Sequence, residues 1–192
     1  MNRKLSTKFG MALAAVLGLG GLAPSIGQAV QLADGTVYFV QPPRLVAAAT
    51  NRSNTLAARA TYYFTIEVPE DSGEPLQRVV INQRDSATAP RRVLFNPEAS
   101  FAFVGTKGDR GADLPLGETV FDRETQTIAL TFDPPVPSGT TVTVGLRPRR
   151  NPQIDGTYLF RVEAFPPGDV AHGQVLGFGR LRFDGRDRPL LR

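Results

Sequence analysis

The chain has 192 residues, a formal charge of +4, one histidine, two methionines and no cysteine. Without cysteine there is no disulfide framework, thiol nucleophile, cysteine-ligated zinc site or thioether-bound haem. Glycine (19) and proline (16) punctuate short β-branched and aromatic runs along the whole length, which predicts an all-β domain.

The first segment carries Arg3, Lys4 and Lys8 and no acid, then an apolar run from Phe9 to Ala23 closed by Pro24. That run is shorter than the roughly 20 apolar residues a spanning helix requires. Gly27 and Ala29 have the small-residue spacing of a signal-peptidase site, so residues 1–29 are expected to be a signal peptide cut before Val30. Residues 30–192 are then a single exported domain with no membrane span. Loss of Arg3, Lys4 and Lys8 takes the 22 basic residues to 19 against 18 acids, a balance of +1. Such a balance weakens the case for a nucleic-acid partner.

Thr36–Gln41 (TVYFVQ) predicts a short strand stopped by Pro42 and Pro43. Residues 44–60 (RLVAAATNRSNTLAARA) are rich in helix formers and predict one helical turn or an irregular crossing. From Arg59 to Val68 the pattern alternates, with Tyr62, Phe64, Ile66 and Val68 on one face. Leu76–Gln83 is expected to be its hairpin partner across the turn EDSGEP. Arg92–Asn96 is a brief strand and Phe101–Val104 a strand or loop anchor, while residues 105–117 (GTKGDRGADLPLG) predict a long exposed loop. Strands are expected at Glu118–Phe121, Thr127–Phe132, Thr140–Arg147, Thr157–Phe165 and Val175–Phe183, with DPPVPSG as a proline-stiffened turn. The sum is an all-β fold, an immunoglobulin-like antiparallel β-sandwich of eight or nine strands.

The segments TYYFTIEVPEDSGEPLQRVVINQ, TFDPPVPSGTTVTVGLRPRRNPQIDGTYLFRVEAFPPG and GQVLGFGRLRFDG resemble a family of small exported cyanobacterial proteins known as a domain of unknown function. The resemblance covers about Ala33 to Asp184 and implies a periplasmic or cell-surface β-domain; it implies no activity and no functional residues. DPPVPSGTTVTV followed by GTYLFRVEAF is also similar to the last strands of periplasmic copper-binding domains. The ligands for copper are missing, since His172 is the one histidine and Met1 and Met11 leave with the leader.

The candidate chemistry is thin. His172 lies in the loop GDVAHGQ with no nucleophile motif before it. The acids fall mostly in turns, as in Glu70-Asp71-Glu74 and Asp122-Glu124, which turn composition explains without a glycosidase pair. Asp109, Asp113 and Glu118 match no calcium-loop spacing, and Asn51-Arg52-Ser53 is a chance-level glycosylation pattern. Tyr62-Tyr63 and Phe101/Phe103 could line a sugar platform, but core and rim packing accounts for them.

The arginines are more informative. Arg147, Arg149 and Arg150, with Arg180 and Arg182, could bind an anionic group by bidentate hydrogen bonds, Arg180 and Arg182 lying opposite Arg161 and Glu163 in a last hairpin. Solvent-exposed Arg/Glu pairing that protects a sheet edge is the competing account. The expectation is a non-enzymatic binding or structural interaction module without cofactor or metal. Its partner would be an envelope protein or, alternatively, an anionic glycan on the Arg-rich C-terminal hairpin; an unrecognised hydrolase is the further alternative.

Overall fold

The computed structural model describes residues 30–31, 35–84 and 91–185. The signal peptide expected over residues 1–29 lies outside them. Strands β1 (Val30–Gln31) and β2 (Val37–Tyr38) form a two-residue pair. The others are β3 (Arg44–Thr50), β4 (Tyr62–Glu67), β5 (Leu76–Gln83), β6 (Phe95–Gly105), β7 (Arg110–Leu114), β8 (Leu116–Asp122), β9 (Thr127–Val136), β10 (Thr141–Pro148), β11 (Gly156–Phe165) and β12 (Gln174–Phe183).

Period-two patterning places these strands because one face of each must leave water. Tyr62, Phe64 and Ile66 of β4, Val142, Val144 and Leu146 of β10, and Tyr158, Phe160 and Val162 of β11 are all fully buried. The strands form two five-stranded antiparallel sheets, in the orders β3-β4-β10-β6-β7 and β12-β11-β5-β9-β8. The apolar faces of both supply a single core cluster. The immunoglobulin-like β-sandwich holds as expected, but the strand number does not. Among the described residues ten strands build the two sheets, beside the small β1-β2 pair, where eight or nine strands were expected.

Four local expectations are corrected. Residues 44–50 are extended, not helical: β3 pairs with β4, and Leu45 and Ala48 pack against the core. Ladder bonds and burial outweigh the helix propensity of alanine. β4 and β5 are not a hairpin, since β4 pairs with β3 and β10 while β5 pairs with β11 and β9. Each has a buried face, and the intervening segment crosses between the sheets, pinned where the Ser72 hydroxyl donates to the Glu74 carbonyl at 2.8 Å.

The expected loop over residues 105–117 contains β7, which folds back on β6 through Phe103–Asp113 and Gly105–Arg110 pairs. The expected turn DPPVPSG begins later than its prolines suggest, because β9 runs on through Asp133, Pro134 and Pro135 to Val136. No helix among the described residues is long and apolar enough to cross a membrane.

Candidate functional site

One end of the sandwich is knitted from three segments: residues 51–61, residues 91–94 and the chain leaving β10. Asn151 is the knot. Its backbone N–H donates to the Ala57 carbonyl at 2.9 Å, and its side-chain amide donates to the carbonyls of Arg52 and Asn54, each at 2.9 Å. Its side-chain oxygen accepts the hydroxyl of the buried Tyr62 at 3.0 Å. Burial, then the neighbouring Tyr158, push the Tyr62 phenol above its ordinary range, so it stays neutral and donates. The Arg149 N–H donates to Leu94 O at 2.8 Å and the Leu56 N–H to Pro152 O at 3.1 Å.

This frame presents arginines. Arg59, Arg147 and Arg149 line a cleft of about 450 Å³ with Asn96 and Ala99. Arg149 is shared with a second cleft of about 200 Å³, lined also by Arg92, Arg150 and Gln153. Arg59, Arg149 and Arg150 are exposed and Arg147 is half-buried. Ion pairs join Arg110 to Asp113, Arg161 to Glu163 and Arg182 to Asp184, all elsewhere. No described carboxylate pairs with Arg59, Arg147, Arg149 or Arg150.

The five arginines singled out from sequence therefore fall into two groups. Arg180 and Arg182 lie on the outward face of the edge strand β12, between the buried Gly179, Leu181 and Phe183. They oppose Leu159 and Thr157, not Arg161 and Glu163, which face Phe178 and Val175. One register runs unbroken from Gly156–Phe183 to Val162–Gly177, and it shifts only past the arginines, beside Gly177, whose φ of 132° suits glycine. Arg182 donates to Asp184 at 3.0 Å, and Arg180 lines a shallow groove with Val46 and Phe178. Arg59, 88 positions from Arg147 in sequence, and Arg92 are the cleft-lining arginines that sequence reasoning missed.

The aromatic pairs also separate. Tyr62 is core, while Tyr63 and Phe101 are half-buried on the outer face of the β4-β10-β6 region and Phe103 is buried there. Tyr63, Gly145 and Phe101 are direct cross-strand neighbours. A Cβ at Gly145 would meet the Phe101 ring, so the ring lies across the glycine. His172 is exposed; its ring stands 4.7 Å from that of Tyr38, and its backbone N–H donates to Val37 O at 3.0 Å. Asp113 is held by Arg110 at 2.5 Å, and the described residues contain no group of three or more potential acidic or histidine metal ligands.

Several solved structures are distantly similar to the chain. The collagen-binding subdomain of the Enterococcus faecalis surface protein ACE aligns over 70% of this chain and 94% of its own at 10% identity, TM-score 0.42. The bacterial hydrophobin BslA aligns over 77% of this chain and 100% of its own at 13% identity, TM-score 0.41. A cohesin module from a Clostridium perfringens family 33 glycoside hydrolase aligns over 74% of this chain and 98% of its own at 8% identity, TM-score 0.34. No curated protein matches the chain in sequence. The family model described as a protein of unknown function (DUF2808) matches residues 36–183, nearly the span over which the resemblance was drawn, and the chain belongs to that family.

Proposed function

We propose that the protein is a non-enzymatic, exported binding module whose arginine end holds anionic groups of a cell-envelope partner. The observation that carries this reading is the convergence of Arg59, Arg147, Arg149 and Arg150 on two adjoining clefts without a described carboxylate partner. Like charges so gathered repel one another unless an anion offsets them. A guanidinium offers several donors in one plane and matches carboxylate, sulfate or phosphate oxygens two at a time. It keeps its proton throughout the physiological range, so this set can hold an anion but cannot work as a general acid or base. Export rests on the basic, apolar and small-residue succession of residues 1–29.

Protein recovered outside the cytoplasm of expressing cells should have the mass of a chain beginning at Val30. Its retention on immobilised alginate should fall as salt rises through roughly 0.1 to 0.5 M, where the screening length shortens to a few ångströms. Arg149→Ala with Arg150→Ala should weaken retention about tenfold or more. Arg180→Ala with Arg182→Ala should leave it near wild type, since those side chains lie outside both clefts. Equal retention of all three proteins would sink the arginine-end reading. A recovered mass that still includes residues 1–29 would sink export.

A further inference from the structure

Arg147 belongs to two surfaces at once. It lines the cleft with Arg59 and Arg149, and its guanidinium lies 5.4 Å from the Phe101 ring centre on the outer face of the sheet. From Phe101 the rings continue to Tyr63 at 6.3 Å, edge to face, and to Phe103 at 6.2 Å. Lys107 sits 5.5 Å over Tyr63, and Arg110 sits 5.2 Å over Phe101 and 4.6 Å over Phe103. Cations and rings thus alternate from the arginine end onto the outer face of the sheet, Arg147 and Lys107 without a described carboxylate and Arg110 held by Asp113.

Beneath them the floor is low. Gly145 has no side chain, and Thr143 is wholly buried, its hydroxyl 2.9 Å from that of Thr65 and donating to Gly105 O at 2.7 Å. Ring contact fixes a guanidinium's plane while leaving its in-plane N–H groups able to donate outward.

We infer that this face, continuous with the arginine clefts, is the binding track of an acidic polysaccharide. The inference rests on the anion-binding reading above and names the ligand class for it. An acidic sugar polymer offers what the track presents: anionic groups for Lys107 and Arg147, and C–H groups for the exposed parts of Tyr63 and Phe101. Inorganic polyanions supply the first and not the second. Single-stranded nucleic acid supplies both, but successive bases need parallel, open rings. Phe103 is buried and Tyr63 stands at 74° to Phe101, so these rings do not form such a row.

The test is a comparison of dissociation constants for alginate, linear polyphosphate and oligothymidylate at matched charge and salt. Wild-type protein should bind alginate about tenfold tighter than polyphosphate. Tyr63→Leu and Phe101→Leu should each bring alginate down toward the polyphosphate value and leave polyphosphate unchanged. Phe101→Tyr keeps a ring over Gly145 and should retain the preference, so a folding defect in Phe101→Leu does not obscure the result; thermal melting of each variant checks the fold. Equal binding of alginate and polyphosphate, or ring variants that weaken both alike, would overturn the track while leaving the arginine end standing. Tightest binding to oligothymidylate would overturn it in favour of nucleic acid. Failure to bind any of the three would overturn both readings.

Discussion

Arg59 and Leu56 have φ values of 57° and 56°, in the left-handed region that L-residues other than asparagine and aspartate seldom occupy. Both lie in the segment that Asn151 ties to the arginine end, where Asn151 accepts no alternative geometry without losing its bonds to Arg52 and Asn54. Backbone strain held in place beside a binding cleft is a cost that tertiary hydrogen bonds offset. Two substitutions at Arg59 separate strain from charge. Arg59→Gly should stabilise the fold by roughly 0.5–1 kcal/mol in urea unfolding, because glycine adopts this φ freely. Arg59→Ala keeps the strain and should bring no such gain. Both should weaken alginate retention to the same extent, since both remove the guanidinium. A gain of stability in neither variant would mean that the loop relaxes without Arg59.

At the scale of the strand and its turns, acidity acts on one well-defined corner. Asp122, ending β8, accepts the Thr125 hydroxyl at 2.7 Å and the Glu124 N–H at 2.8 Å. The Thr125 hydroxyl first, and the backbone donors after it, hold the Asp122 carboxyl below its ordinary range. A lowered folded-state pKa means that the ionised form is the one the turn favours. The contribution is therefore present above the unfolded-state pKa and disappears as pH falls through the lower folded value. NMR titration should find the Asp122 carboxyl shifting upward in Thr125→Ala; no movement would remove Thr125 as the cause.

Sequence pattern served such elements unevenly, for physical reasons. β4, β10 and β11 were legible because their large apolar residues alternate in sequence toward the core. β3 and β7 were not, being edge strands of alanine or of small and charged residues whose pairing is decided by their neighbours. The register of β12 follows from the irregular connection over residues 166–173, which carries no periodic signal, so the arginine triplet at 147–150 was found while its supposed partners at 180 and 182 were misplaced. Arg59 was beyond reach, because a left-handed residue in a long connection leaves no periodic signal.

The way the two sheets close decides which arginines can act together. β3 and β12 are edge strands of opposite sheets, and they meet where Gly179 faces Ala48 and Phe64. A Cβ at Gly179 would stand 2.8 Å from the Ala48 Cβ and 2.8 Å from the Phe64 ring. The seam therefore needs glycine for closeness. That closeness sets β12 against β3 with its alternate residues outward, so Arg180 and Arg182 point away from the core and outside the clefts that Arg147, Arg149 and Arg150 line.

Gly179→Ala should cost about 1–3 kcal/mol of folding stability by overpacking. Because Ala48 supplies one of the two opposing atoms, adding Ala48→Gly should return part of that loss, a non-additivity measurable by a double-mutant cycle in urea. Alginate affinity of the folded Gly179→Ala protein should remain that of wild type, the clefts being built from other segments. Additive losses in the cycle would show that Phe64 alone resists the new methyl, and a fall in affinity would show that the seam also shapes the arginine end.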